Sequence, residues 1–99
     1  MSEAQILIIE DDQVFAEMVQ FQLSTSGISL ENIISINSIE AAKDVRSYLE
    51  PDVILLDLNI LDSTGVKTYD SIHTLFPLAS VIVLSGMDDE SIALEIVSK

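Results

Sequence analysis

Four short apolar runs constrain the fold of this chain more than any other feature of its sequence. The runs are Ile6–Ile9, Ile33–Ile36, Val53–Leu56 and residues 81–84. Most of their residues are β-branched, and only Ser35 interrupts them, so they are continuous rather than alternating. Continuous runs of this length are typical of strands that are buried on both faces, as in a parallel sheet.

The segments between and after these runs have the spacing of amphipathic helices. A capping box at residues 37–40 opens the second segment, Pro51 and Pro77 end the second and third, and Ser26-Gly27 ends the first. The fourth segment begins at Asp88 or Asp89, which would act as its N-cap. The predicted apolar faces are Phe15, Met18, Val19 and Leu23, widened by Val14 and Phe21; Ala42, Val45 and Leu49, with Tyr48; Val66, Tyr69, Ile72 and Leu75 or Phe76; and Ile92, Ala93, Ile96 and Val97.

Strand and helix patterns therefore alternate four times, which predicts an α/β fold with helices on both faces of a parallel sheet. The 99 residues suffice for one core, so we expect a single domain over residues 1–99. The chain has no cysteine, which excludes disulfides and thiolate metal sites and favours a cytoplasmic location. It shows no signal-peptide pattern and no membrane-spanning apolar run, so we expect no membrane association.

The charge balance excludes one class of function. Four Lys and Arg residues stand against seventeen Asp and Glu residues, a net charge of −13. Such a chain repels phosphate backbones, so we expect no nucleic-acid binding by this segment. Most of these carboxylates serve solubility, and only those placed at strand ends call for another explanation.

Polar residues follow three of the predicted strands at the point where each strand ends. Glu10, Asp11 and Asp12 come after the first run, Asp57 after the third, and Ser85 after the fourth. In open α/β sheets the carboxyl ends of the strands form the ligand-binding edge. Close carboxylates repel by about 1 to 4 kcal/mol per pair at 4 Å, so a hard divalent cation such as Mg²⁺ would stabilise them. A carboxylate beside Mg²⁺ can attack phosphorus, and Asp57 is the candidate nucleophile.

Three segments resemble the signatures of the response-regulator receiver domains of two-component signalling. They are LIIEDD at 7–12, LLDLN at 55–59 with Gly65 eight residues beyond Asp57, and VIVLSG at 81–86. Their order and spacing agree with the family, and the resemblance covers essentially the whole chain. It implies a doubly wound, flavodoxin-like parallel sheet of strand order 2-1-3-4.

The resemblance also implies a role for each strand-end residue. Glu10 and Asp11 would be the acidic pair of a Mg²⁺ site, with Asp11 the more direct ligand. Asp57 would accept the phosphoryl group and bind the metal, and Asn59 would contribute its backbone carbonyl. Ser85 would be the hydroxyl that turns toward the phosphoryl group, with the small Gly86 beside it.

The sequence departs from the family pattern in two places. Leu61 stands where receivers usually have a proline, which predicts a less rigid loop between Asn59 and Gly65. Receivers also continue into a fifth strand, which ends in a lysine that pairs with the phosphoryl group, and a fifth helix. The chain stops at Lys99 within the fourth helical pattern, so Lys99 is not that lysine. We therefore expect an incomplete domain that self-associates through its fourth strand or fourth helix.

Three functions follow from these residues. The first is a phosphoacceptor that is not itself an enzyme and receives its phosphoryl group from a sensor histidine kinase or a phosphotransfer protein. The second is an interaction module of the same fold that works without phosphorylation. The third is a phosphohydrolase with an aspartyl-phosphate intermediate, which the sequence disfavours because Asn59 stands where such enzymes commonly place a second carboxylate.

Overall fold

The structure, a computed structural model, describes residues 4–84, and strands and helices alternate along them. The elements are β1 (Ile6–Ile9), α1 (Gln13–Thr25), a short 3₁₀ helix (Leu30–Asn32), β2 (Ile33–Ile36), α2 (Ile39–Val45), β3 (Val53–Leu56), β4 (Asn59–Ile60), β5 (Ser63–Thr64), α3 (Val66–Leu75) and β6 (Ser80–Val83). The predicted fourth helix, with residues 88–97, lies outside the described residues.

The four long strands form one parallel sheet in the order β2-β1-β3-β6. Because β6 is the fourth long strand of the chain, this is the predicted order 2-1-3-4. The last strand begins one residue earlier than the sequence pattern indicated, with Ser80 paired to Val53. The predicted α/β fold with a doubly wound sheet is thus confirmed over the described residues.

Successive side chains of β1 supply the two cores that make the sheet doubly wound. Leu7 and Ile9 belong to a cluster with buried residues of α2 and α3, whereas Ile6 and Ile8 pack with Ala16 of α1. All four β1 side chains are buried, which explains why the first apolar run is continuous. Helix α1 therefore covers one face of the sheet, and α2 and α3 cover the other.

Side-chain caps begin the first two helices, although the N-cap of α2 is Ser38 rather than the first residue of the predicted capping box at 37–40. The Asp12 carboxylate accepts a hydrogen bond of 3.1 Å from the Phe15 N–H at the start of α1. The Ser38 hydroxyl accepts one of 3.0 Å from the Ala41 N–H at the start of α2. Helix α1 ends at Thr25, and Gly27 adopts a φ of 103°, a left-handed conformation that favours glycine.

The predicted apolar face of α1 is partly wrong. Phe15 and Met18 were expected to be buried, but they are 39% and 55% exposed. The buried face centres on Ala16, because this small side chain lets the helix lie close to the strands, and Val19 and Leu23 flank it. Val14, Phe15, Met18 and Phe21 instead form an exposed apolar stripe, which we call the α1 stripe.

The second helix is shorter than its apolar pattern indicated. It ends at Val45, although Leu49 is still buried against the α2–α3 side of the core. Tyr48 lies in the turn after the helix and is 73% exposed, so its expected packing role is wrong. The apolar face of α3 is confirmed, since Ile72 and Phe76 are buried and Tyr69 packs against the same cluster.

Candidate functional site

Strand pairing brings three carboxylates together at one edge of the sheet. The Glu10 N–H donates to the Ile36 carbonyl at 2.9 Å, and the Asp57 N–H donates to the Ile9 carbonyl at 2.9 Å. Each residue thereby extends the pairing of the strand that it follows. One carboxylate oxygen each of Glu10, Asp11 and Asp57 lies within 4.8 Å of the others.

The three carboxylates differ in their exposure to solvent. Glu10 is 8% exposed, Asp57 is half-buried and Asp11 is exposed. The cluster is therefore buried at Glu10 and open to solvent at Asp11. A small ion could approach from solvent and still reach the buried oxygen of Glu10.

Burial and neighbouring acids change the protonation of Glu10. Loss of hydration raises the pKa of Glu10 from its ordinary 4.5 to about 8, and a hydrogen bond to Asp57 and the negative charges of Asp57 and Asp11 act in the same direction. Glu10 is thus largely protonated at neutral pH when no cation is bound.

One oxygen of Glu10 has no hydrogen-bond partner. Within the part of the chain that the structure describes, Glu10 Oε2 is buried without a donor. A buried polar atom without a partner is costly, and a bound cation would remove the cost by coordinating it. All three available ligands are oxygens, which is the ligand type that Mg²⁺ prefers. The donor set therefore fits a Mg²⁺ ion.

The Asp57 carboxylate is held in a fixed orientation. Its Oδ1 accepts a hydrogen bond of 3.0 Å from the Asn59 N–H, two residues further along the chain. Asn59 itself is exposed at the start of β4, next to the acidic cluster in sequence. The predicted site residue Ser85 and its neighbour Gly86 lie outside the described residues.

A cleft of about 450 Å³ opens beside the cluster, between α1, β2 and the start of α2. Glu10 and Asp11 line it together with side chains that are mostly polar, among them Gln13, Glu17, Gln20 and Asn37. Asp57 does not line it. The cleft gives solvent access to the acidic pair on the side away from β3.

Sequence reasoning missed the two-stranded hairpin that follows Asp57. Strands β4 and β5 pair antiparallel, with Asn59 opposite Thr64. The Asp62 carboxylate at its tip accepts hydrogen bonds from Ile39 and Glu40, which lie 23 and 22 positions away in the chain. Local sequence patterns carry no signal for a pairing over such a distance. His73 on α3 is exposed, and its ring stacks on that of Tyr69 with 5.7 Å between the ring centroids.

A family model for the response regulator receiver domain matches residues 6–99. The chain is a response-regulator receiver domain. This family belongs to two-component systems, and the acidic cluster of Glu10, Asp11 and Asp57 is typical of its phosphorylation site.

Curated relatives agree with this assignment. The chain is 34% identical over 98 residues to the transcriptional regulatory protein DegU of Brevibacillus brevis, an alignment that covers 91% of this chain and 38% of DegU. It is 27% identical over 84 residues to the cell cycle transcriptional regulator CtrA of Caulobacter vibrioides, covering 85% of this chain and 35% of CtrA. The chain thus spans little more than a third of the length of these relatives.

Solved structures share the fold. A receiver domain of a sensor histidine kinase from Pseudomonas aeruginosa, with magnesium ion coordinated in its active-site cleft, superposes with a TM-score of 0.75 at 18% identity, over 95% of this chain and 79% of that one. The MaeR response regulator bound to beryllium trifluoride gives 0.73 at 21% identity, over 96% of this chain and 77% of MaeR. None of the helices in residues 4–84 is long and apolar enough to cross a membrane.

Proposed function

We propose that Asp57 accepts a phosphoryl group from a histidine kinase or a phosphotransfer protein, in a Mg²⁺-dependent reaction. The observation that carries the proposal is the convergence of Glu10, Asp11 and Asp57 within 4.8 Å around a buried oxygen that lacks a partner. An unpartnered oxygen in a cluster of acids is unfavourable unless a cation occupies the cluster. The magnesium-bound relative supports the same assignment.

Each residue at this site would have a separate role. Glu10, Asp11, Asp57 and the backbone carbonyl of Asn59 would hold Mg²⁺, which when bound neutralises charge on the phosphoryl oxygens. The hydrogen bond from the Asn59 N–H holds the Asp57 carboxylate by one oxygen. A carboxylate oxygen of Asp57 attacks phosphorus, an O–P bond forms, and the bond to the donor breaks with its electron pair leaving on the donor. The Ser85 hydroxyl would then donate a hydrogen bond to the transferred phosphoryl group.

The α1 stripe supports docking of a protein donor. Its residues begin three positions after Asp11, and Val14 and Phe21 are 69% and 68% exposed. Apolar side chains of this size on a surface indicate a contact with another protein. The exposed apolar stripe favours a partner whose contact surface has an apolar centre. The net charge of −13 favours basic residues around that centre.

The experiment incubates the chain with Mg²⁺ and acetyl phosphate and measures its intact mass. We expect a gain of one phosphoryl group, which requires Mg²⁺ and disappears in Asp57→Asn. Asp44→Asn is the matched control, because Asp44 is an exposed aspartate on α2 outside the cluster. A folded wild-type chain that gains no mass would favour the alternative of an interaction module that works without phosphorylation. Continuous release of phosphate without a stable adduct would favour the phosphohydrolase.

A further inference from the structure

The base of the hairpin after Asp57 is fixed by two donors to one carbonyl. The Gly65 N–H and the Thr68 hydroxyl both donate to the Leu58 carbonyl, at 2.8 and 2.7 Å. The Thr68 hydroxyl oxygen also lies 2.8 Å from Ser63 Oγ. Because the single Thr68 hydroxyl proton is donated to Leu58, the Ser63 hydroxyl donates this second hydrogen bond and Thr68 accepts it. Gly65 has a φ of 70°, a left-handed conformation that favours glycine at this turn into α3. These hydrogen bonds therefore fix the direction in which the hairpin leaves the sheet.

The tip of the hairpin is fixed to a different element. The two oxygens of Asp62 accept separate hydrogen bonds, at 2.8 Å from the Ile39 N–H and at 3.1 Å from the Glu40 N–H. The Ser38 hydroxyl accepts from the next free N–H, that of Ala41. The first N–H groups of a helix have no partner within the helix, and here two of them are bound by a residue of the hairpin. Asp62 thus ties the tip of the hairpin to the start of α2.

The electrostatics of this contact favour a lasting attachment. The Ile39 N–H, above all, lowers the pKa of Asp62 below its ordinary value, and the Glu40 N–H and the nearby charge of Lys43 contribute in the same direction. Asp62 is therefore ionised throughout the neutral range. A carboxylate is also the side chain that the positive end of a helix binds best.

We infer that Asp62 is a positioning residue for the acidic site: by fastening the hairpin to α2, it sets where the backbone of Asn59 lies relative to Asp57. Asn59 is the first residue of this hairpin, and its N–H already holds the Asp57 carboxylate. This inference rests on the proposed function, because it concerns the Mg²⁺ site of that function.

The same contact links α2 to the site. Asn59 is hydrogen-bonded to Asp57, and Asp62, three residues further along the same hairpin, is hydrogen-bonded to the first turn of α2, so we expect order at one end of the hairpin to affect the other. Binding of Mg²⁺ at Asp57 should therefore slow amide exchange at Ile39 and Glu40. In a chain without the Asp62 carboxylate, the metal should leave these two amides unaffected.

The test compares Asp62→Ala with the wild type, using Mg²⁺ alone as the ligand. We expect Mg²⁺ affinity to fall by about 10-fold, the lower end of the effect of residues that orient metal ligands. Amide exchange at Ile39, Glu40 and Gly65 should become faster. Asp62→Asn keeps one acceptor oxygen and should restore part of both properties. Asp44→Ala removes an exposed aspartate from α2 and should change neither.

The Mg²⁺ affinities of the Asp62 variants distinguish a positioning role from a merely structural one. If Asp62→Ala binds Mg²⁺ like the wild type, whether or not its urea midpoint falls, Asp62 is merely structural and the inference is overturned. If Asp62→Ala does not fold, Asp62→Asn decides the question in the same way. If the wild type itself binds no Mg²⁺, the proposed function fails. The exchange rates measured without metal then still test whether Asp62 holds the hairpin.

Discussion

The N–H of Asn59 holds one carboxylate oxygen of Asp57 at 3.0 Å. The first residue of the hairpin therefore orients the residue that ends β3, and the two form one structural unit. A carboxylate fixed in this way loses little conformational freedom when it binds a cation or a phosphoryl group.

We expect Mg²⁺ to bind weakly at the cluster of Glu10, Asp11 and Asp57. The ion has three carboxylate ligands at hand, and binding gives the buried Glu10 Oε2 a partner. In an NMR titration, the amide signals of Asp11, Asp57 and Asn59 should shift together. Asp11→Asn should weaken binding at least several-fold, and Asp44→Asn should not. A titration that moves no signal near Asp57 would show that the cluster is not a metal site.

Without metal, stability should fall as the pH rises from about 4.5 to about 8, because the folded chain keeps a proton on Glu10 whose pKa is raised from 4.5 to about 8. Within this window the native state binds more protons than the unfolded state, so the free energy of unfolding decreases with pH. A single group contributes at most about 1.4 kcal/mol per pH unit. Urea midpoints across this range measure the slope, and Glu10→Gln should flatten it.

Mg²⁺ affinity should change with pH in the opposite direction. The ion needs Glu10 in its ionised form, so binding at pH 7 releases a proton, and affinity rises as the pH approaches the Glu10 pKa of about 8. Calorimetry in two buffers with different ionisation enthalpies measures the number of protons released. If no proton is released at pH 7, Glu10 is not a ligand.

The fold and most of the acidic cluster followed from the sequence for one physical reason. Buried parallel strands are continuous apolar runs, and the residues after them meet at one edge, so Glu10, Asp11 and Asp57 could be placed together from local patterns. The face of α1 was misjudged because Phe15 and Met18 are large and apolar, whereas the helix packs through the small Ala16. Apolar periodicity alone does not distinguish an exposed stripe from a buried one.

The hairpin could not be predicted in the same way. Its strands are two residues long, and its anchor, Asp62, binds a helix 22 and 23 positions earlier in the chain. Such a contact depends on the tertiary arrangement rather than on local spacing. The same holds for Thr68, a polar residue with no exposed surface, whose role is visible only in its bond to Leu58.

Thr68→Val should lower the free energy of unfolding by about 1 kcal/mol, the usual contribution of one hydrogen bond, with no change in side-chain shape. The cost stays moderate because the Leu58 carbonyl keeps its bond from the Gly65 N–H. Thr74→Val is the matched control, since the Thr74 hydroxyl bonds to the Asp70 carbonyl one turn earlier on an exposed face. Urea unfolding of both variants measures the difference. An equal loss of unfolding free energy in both variants would show that the buried hydrogen bond of Thr68 contributes no more to stability than the exposed one of Thr74.

We expect the 99-residue chain to self-associate through β6. Among residues 4–84, β6 pairs only with β3, and its Ile82 is 53% exposed. Within the described residues the outer edge of β6 has no partner strand, and such an edge offers backbone donors and acceptors to a strand of a second copy. Ile82→Lys places a charge on that strand and should lower the mass measured by light scattering, as charged edge residues do in natural sheets. Phe21→Lys on the α1 stripe is the comparison, because Phe21 is also exposed but lies on a helix rather than on β6. If Phe21→Lys rather than Ile82→Lys disperses the association, the helix forms the contact and the prediction for β6 is wrong. If the wild type is monomeric at high concentration, neither surface drives self-association.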